Sequence, residues 1–250
     1  MDQELVRRRM APSRTEAQRM IEGGKVEVGG VPTPKPATLV APGTPIELVV
    51  EGPNYVGRGA VKLEGALAAF PVEVKGRRAL DVGSSTGGFT DVLLRRGANH
   101  VVALDVGYGQ LDHRLRQDPR VTVMERTNLR HTTPADTGAP FPLIVGDLSF
   151  ISLCTVAEAL AGLAEPGGDL VLLIKPQFEA GKGEVGSGGI VRDDLVRRRA
   201  VEKVLACLAE RKLGPQALVT SPLAGAGGNR EVFVWCRAGV DPVEGLEVPA

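Results

Sequence analysis

Seven short apolar runs recur through most of this chain, and their spacing limits the fold more than any other feature. They are RALDVG (78–83), HVVALDV (100–106), RVTVME (120–125), PLIVGDL (142–148), DLVLLIK (169–175), QALVTS (216–221) and EVFVWCR (231–237). The early runs are apolar at successive positions, the pattern of parallel strands covered on both faces. Helix-like segments separate most of them, among them GGFTDVLLRRG, LCTVAEALAGLA and DDLVRRRAVEKVLACLAERKL. This alternation predicts an α/β fold with a doubly wound sheet. The Gly-rich EAGKGEVGSGG (179–189) reads as a mobile loop within it.

Composition changes near residues 50–58. The expected organisation is a small α+β domain over 1–50, a linker over 51–58, a large domain over 59–240 and a tail over 241–250. In the small domain, ELVRRRM reads as a helix broken at Pro12 and Ser13. Ser13 can cap a second helix, RTEAQRMIEGG, with Glu16 at the capping-box position, and Gly23 and Gly24 end it. KVEVGGVP reads as strand and turn, and PIELVV as a closing strand. So small a unit has a thin core and is expected to pack against its larger neighbour. Arg7, Arg8, Arg9, Arg14 and Arg19 lie within thirteen residues, opposed there only by Glu16. They form either a solvated helix surface or a basic face for phosphates.

Formal net charge is zero, so nucleic-acid affinity must come from such local patches. Aromatic residues make up 4%, which argues against a surface built mainly of stacking platforms. Cys154, Cys207 and Cys236 are widely spaced and odd in number, and His100, His113 and His131 are scattered. Neither a metal site nor a disulfide framework is expected; the reading is buried free thiols. No apolar run reaches the ~18 residues of a membrane span, and no apolar segment follows the N-terminal charges. A cytoplasmic, soluble protein is expected.

The first chemical motif is LDVGSSTGGFTD (80–91): a strand, a loop of small residues, then a helix starting near Gly88. The loop Gly83-Ser84-Ser85-Thr86-Gly87-Gly88 permits a tight turn and a close ligand approach, and the helix start favours an anionic group. Asp105, at the end of the next strand, stands where an acidic side chain holds the hydroxyls of an adenosine ribose. Asn128, after the third strand, can face an adenine edge or form a turn. These features predict an adenosine-containing ligand. The GxxxGG spacing disfavours a nicotinamide dinucleotide, which prefers GxGxxG.

Four ionisable residues stand out. Asp147 and Lys175 close apolar strands at the edge where open α/β sheets bind ligands. Glu231 opens a strand and reaches that edge only if the strand runs antiparallel; Lys62 lies in GRGAVKLEGAL, just ahead of the fold proper. Methyl transfer to a hydroxyl requires that its proton be removed and its oxygen aimed. An amine does this where burial and a second ammonium favour its neutral form. Lys175 is the candidate base, Lys62 its positioning partner, and the carboxylates hold both. The alternative is a pair of structural salt bridges. Asp147-Leu148-Ser149-Phe150 is not the Asn/Asp-Pro-Pro-aromatic sequence common in methylation of base amino groups, and no Pro-Cys pair suits cytosine C5 chemistry.

These motifs resemble the TlyA group of bacterial ribosomal RNA methyltransferases, historically labelled haemolysins. The most specific stretches are GRGAVKLEGAL, ALDVGSSTGGFTD, GDLSFISL, LLIKPQFEAGKGEVGSGGIVRD and GNREVFVW. LVRRRMAPSRTEAQRMIEGGKVEVGG, with KPATLVAPG, is similar to the small RNA-binding domain shared by a small-subunit ribosomal protein and several pseudouridine synthases. The rest is similar to FtsJ-type ribose methyltransferases. The resemblance implies a Rossmann-like seven-stranded methyltransferase sheet with its last strand antiparallel. It implies S-adenosylmethionine as cofactor and a Lys62/Asp147/Lys175/Glu231 tetrad. It further implies 2′-O-methylation of a cytidine in ribosomal RNA, within ribosomal subunits, and a link to tuberactinomycin susceptibility. Arg7, Arg8, Arg14, Arg19 and Arg58 become candidate RNA contacts, and the linker is expected to couple RNA and cofactor binding. Gly57-Arg58-Gly59-Ala60 stands where the family usually has Ser-Arg-Gly-Gly. The chain starts at the acidic residue of its first domain, which resembles the subgroup acting on the large subunit alone. The family's old label supplies the rival reading, a membrane-active cytolysin, for which the sequence offers neither a spanning segment nor a secretion signal.

Overall fold

Apolar strand residues are buried on both faces of a central sheet, and this burial organises the larger part of the molecule. The computed structural model describes residues 1–249 apart from 9, 30, 33–34, 42, 49–54 and 182. Arg9, Val49, Val50 and the first half of the expected linker therefore lie outside the described residues. The chain divides into two units, Met1–Asn54 and Tyr55–Ala250.

In the first unit, α1 (Asp2–Arg7) and α2 (Arg14–Glu22) precede three short antiparallel strands, β1 (Val26–Val28), β2 (Val31–Pro32) and β3 (Ile46–Leu48), in the order β2-β1-β3. Ser13 Oγ accepts the Glu16 amide at 3.2 Å, so α2 starts where the cap residue dictates. Leu5, Ala17, Ile21 and Val26 form the small core.

The second unit opens with α3 (Gly59–Ala69). There follow β4 (Arg78–Val82), α4 (Gly88–Arg95), β5 (His100–Leu104), α5 (His113–Arg116), β6 (Val121–Met124), α6 (Pro134–Thr137) and β7 (Phe141–Gly146). The second half comprises α7 (Leu153–Leu163), β8 (Ala164–Ile174), α8 (Pro176–Glu179), α9 (Asp194–Glu210), β9 (Leu213–Thr220) and β10 (Val232–Ala238). The sheet order is β6-β5-β4-β7-β8-β10-β9; the first five are parallel, and β10 is antiparallel to both its neighbours. The expected Rossmann-like sheet with a reversed last strand is therefore present. Ser152 and Asp193 cap α7 and α9 through their side-chain oxygens, and so fix where each helix leaves the sheet edge.

α3, which carries Lys62, buries Ala60, Leu63, Ala66 and Leu67 in a core shared with α4 and the sheet. Each buried leucine contributes about 1.5–3 kcal/mol. Two readings of the sequence need correction. Cys154 and Cys207 are joined as a disulfide, their Cα atoms 5.5 Å apart. They sit on adjacent helices, α7 and α9, a proximity that fifty-three residues of sequence separation conceal. Only Cys236 remains a free buried thiol, and burial pushes its proton affinity up, which makes it unreactive. In addition, the N-terminal arginines are opposed by more than Glu16. Glu4 bonds Arg7 and Arg8 one helical turn away, and Asp2 meets Arg14 where α1 packs on α2.

The Gly-rich loop is tethered. Glu184 pairs with Arg199 at 2.7 Å, and buried Asn229 donates to the Gly189 carbonyl at 2.9 Å.

Candidate active site

The carboxyl ends of β4, β5 and β7 border a cavity of about 550 Å³, and polar side chains converge on one end of it. Gly83, Ser85, Asp105, Asn128 and Asp147 line it. Of the remaining loop residues singled out in the sequence, Ser84, Thr86, Gly87 and Gly88 lie outside the lining. Two of these are glycine for packing reasons. Gly87 has φ +98° and a side-chain carbon there would strike Leu115; a carbon on Gly88 would lie 2.9 Å from the Ala60 amide nitrogen. The loop is thus shaped by the approach of α3 and α5 as well as by any ligand. Gly83 is a close approach of the same kind, its missing carbon 2.9 Å from the Asp147 carbonyl oxygen.

Asp105 accepts the Ser85 and Gly107 amides at 2.8 and 2.7 Å, which holds both cavity loops on one carboxylate. An ionised carboxylate has about four acceptor sites, so capacity remains for a diol. Asn128 accepts the Arg130 amide through its Oδ1 while lining the cavity. Beneath them Asp81 is fully buried and accepts the Thr90 hydroxyl at 2.6 Å. Burial pushes its carboxyl up to about 7, and the nearby charges of Asp147 and Asp105 add to this. This upward shift favours the neutral carboxyl and so limits negative charge under the cavity.

The tetrad candidates form two ion pairs. Lys62 Nζ donates to Glu231 Oε2 at 2.6 Å, with the two side chains 13% and 2% exposed. Lys175 Nζ lies 2.6 Å from Asp147 Oδ1, with side chains 10% and 20% exposed. Strand register explains how distant residues meet. Val232 pairs with Ile174 across β10 and β8, so Glu231 enters beside Lys175, just as the reversed strand requires. Lys62 projects from α3, which is seated on α4 and the sheet. Breaking either pair strands a charge in a poorly hydrated place, at a cost of several kcal/mol where burial is deep.

Ser149, Phe150 and Gln177 also belong to this site, and the sequence reading did not select them. Ser149 Oγ accepts a hydrogen bond from Lys175 at 2.7 Å, and Gln177 Nε2 donates to Glu231 Oε1 at 3.4 Å. Phe150 is 90% exposed on a left-handed backbone (φ +62°), tilted against Phe178 with centroids 5.2 Å apart. The signal that could have found Phe150 is its place in Asp-Leu-Ser-Phe after a strand, where an apolar ring has no core to enter.

Gly225 gives a local test. A carbon added there would fall 2.0 Å from Glu231 Oε1. Gly225→Ala is expected to push the carboxylate off Lys62. Turnover should fall on the order of tenfold to a hundredfold, as geometric misplacement does. Cofactor affinity should hold; steady-state kinetics beside a cofactor titration checks both.

Comparison with known proteins fixes the family. Residues 55–238 match the FtsJ-like methyltransferase model and residues 2–46 the S4 domain. The 16S/23S rRNA (cytidine-2′-O)-methyltransferase TlyA of Mycobacterium tuberculosis is 52% identical, over 99% of this chain and 94% of that protein. The chain belongs to the TlyA family. It is an FtsJ-like methyltransferase that carries an S4 domain. The family also includes Hemolysin A of Brachyspira hyodysenteriae, 40% identical over 88% of this chain and 91% of that protein. A hemolysin-named structure from Streptococcus thermophilus is 38% identical, with a TM-score of 0.78, over 96% of this chain and 88% of that one. Proteins named as hemolysins and proteins named as methyltransferases are thus both among its relatives. Among the described residues, no helix is long and apolar enough to cross a membrane.

Of the candidate RNA contacts, the side chains of Arg7, Arg14 and Arg19 are mostly exposed, and Arg8 is the most covered. Surface ion pairs of this kind are worth about 0–1 kcal/mol, so a phosphate can compete for the guanidinium groups. Arg58 is exposed at the start of α3.

Proposed function

We propose that this chain transfers a methyl group from S-adenosylmethionine to the 2′-hydroxyl of a cytidine in ribosomal RNA. The observation that carries the reading is a set of two Lys–carboxylate pairs, Lys62–Glu231 and Lys175–Asp147, brought side by side by the β10–β8 register, with Asp147 also lining a cavity suited to an adenosine. The residues fit the cofactor. Asp105 offers a carboxylate to a ribose diol, Asn128 an amide to an adenine edge, and Gly83 and Ser85 a backbone free of bulk. Bound there, the cofactor supplies an electrophilic methyl group.

The protein's part is positioning and proton management. Lys175 takes the proton of the ribose hydroxyl, and Asp147, shared between cavity wall and ion pair, aligns that lysine with the cofactor end. Lys62 directs the hydroxyl oxygen, and Glu231 holds Lys62 from a site only 2% exposed. The exposed Phe150 ring suits stacking against the base of an unstacked target nucleotide. Arg7, Arg8, Arg14 and Arg19 of the first unit, with Arg58, contact RNA phosphates. An enzyme acting on ribosomal RNA works in the cytoplasm.

Incubation with methyl-labelled S-adenosylmethionine and purified small subunits, large subunits and free ribosomal RNA tests the reading. Label is expected in RNA from at least one of these. Its absence from all three would remove the proposed substrate.

A further inference from the structure

Lys175 has two polar neighbours, and their geometry differs. Its nitrogen is close to Asp147 Oδ1, but that oxygen lies off the hydrogen-bonding direction, so the contact is an ion pair. The one hydrogen bond the ammonium makes among the described residues is to Ser149 Oγ, at 2.7 Å. An amine held by a single charge exchanges among staggered positions about its last carbon–nitrogen bond. A directional acceptor fixes that rotation. With Ser149 taking one N–H direction and the Asp147 charge beside the nitrogen, the orientation of the remaining positions on nitrogen is defined.

The surrounding chain keeps Ser149 in reach. Ser149 lines the cavity two residues after Asp147. Three residues further on, Ser152 Oγ donates to Glu179 Oε2 at 2.5 Å, and the Leu153 amide donates to Glu179 Oε1 at 2.8 Å. Glu179 is 3% exposed and stands four residues after Lys175. One buried carboxylate therefore clamps the segment carrying Ser149 to the segment carrying Lys175.

We propose that Ser149 is a positioning residue for Lys175: its hydroxyl fixes the amine so that the free direction on nitrogen faces the substrate hydroxyl. This rests on the reading of Lys175 as the base. The proton passes from the ribose oxygen to Nζ, and Ser149 keeps its own hydrogen throughout. The charged groups around the amine are Asp147 on the β7 side and the Glu231–Lys62 pair on the β10 and α3 side; neither is altered by a change at Ser149.

The test compares Ser149→Ala and Ser149→Thr with the parent enzyme, using ribosomal RNA and S-adenosylmethionine over a range of pH. For Ser149→Ala the plateau kcat is expected to fall on the order of tenfold to a hundredfold. The KM for RNA and the Kd for S-adenosylmethionine should stay within about twofold. The rising limb of the pH–rate profile should move to lower pH, because the ammonium loses an acceptor that favours its charged form. Ser149→Thr, which keeps the hydroxyl, should recover most of the plateau. An unchanged plateau and limb in Ser149→Ala would overturn the proposal, as would a loss confined to cofactor affinity, which would make Ser149 cavity wall only. A parent enzyme that methylates no ribose would instead remove the proposed function, so the two failures are distinguishable.

Discussion

Lys175→Met is expected to stop methyl transfer while leaving the protein folded and able to bind cofactor. Lys175 is 8% exposed, and methionine matches its length without a nitrogen to accept a proton. Removing a positioned general base costs about 10²–10⁴-fold in rate. The stranded partner is Asp147, whose paired Oδ1 is buried although the side chain as a whole is 20% exposed, so some loss of stability accompanies the loss of rate and a thermal melt measures it separately. Single-turnover methyl transfer gives the rate, and titration with S-adenosylmethionine gives the affinity. Near-normal turnover would leave Lys175 a structural ion pair and return the proton to solvent.

Asp105→Ala should act on the other half of the reaction, cofactor binding. The carboxylate does two jobs at once: it bonds the Ser85 and Gly107 amides that frame the cavity, and it faces the ribose diol in the proposed complex. Hydrogen bonds to a charged group contribute about 1.5–3 kcal/mol each. Losing the equivalent of one or two raises Kd on the order of a hundredfold, since each 1.4 kcal/mol is a factor of ten. Asp105→Asn keeps one acceptor oxygen and should lose less. At saturating cofactor the turnover of Asp105→Ala should recover, which separates it from Lys175→Met. Unchanged affinity in Asp105→Ala would place the adenosine elsewhere.

The sheet was readable from sequence because parallel strands buried on both faces must be apolar at successive positions. Strand ends then located Asp147, Lys175 and Asp105. Glu231 needed knowledge of strand direction, which no local pattern carries; the pairing of Val232 with Ile174 supplies it. Lys62 lies on a helix that is apolar around most of its surface, so no amphipathic stripe marked α3 as part of the fold. Ser149 and Phe150 sit in a turn whose shape depends on a left-handed residue and on Glu179, 26 residues from Leu153. The Cys154–Cys207 bond likewise depends on two helices packing side by side. The partners of the N-terminal arginines escaped notice because Asp2 and Glu4 lie just upstream of the basic cluster. Apart from the Glu4 pairs, which lie within one turn of α1, these contacts are made by tertiary packing rather than by chain proximity.

In the proposed reaction Lys175 takes the ribose hydroxyl proton and Lys62 directs the oxygen. The most direct measurement of this is nucleoside mass spectrometry of ribosomal RNA treated with S-adenosylmethionine and either the parent protein or Lys175→Met. 2′-O-methylcytidine is expected with the parent protein and none above background with the variant. Methyl groups on a base, or equal 2′-O-methylcytidine from both proteins, would contradict it.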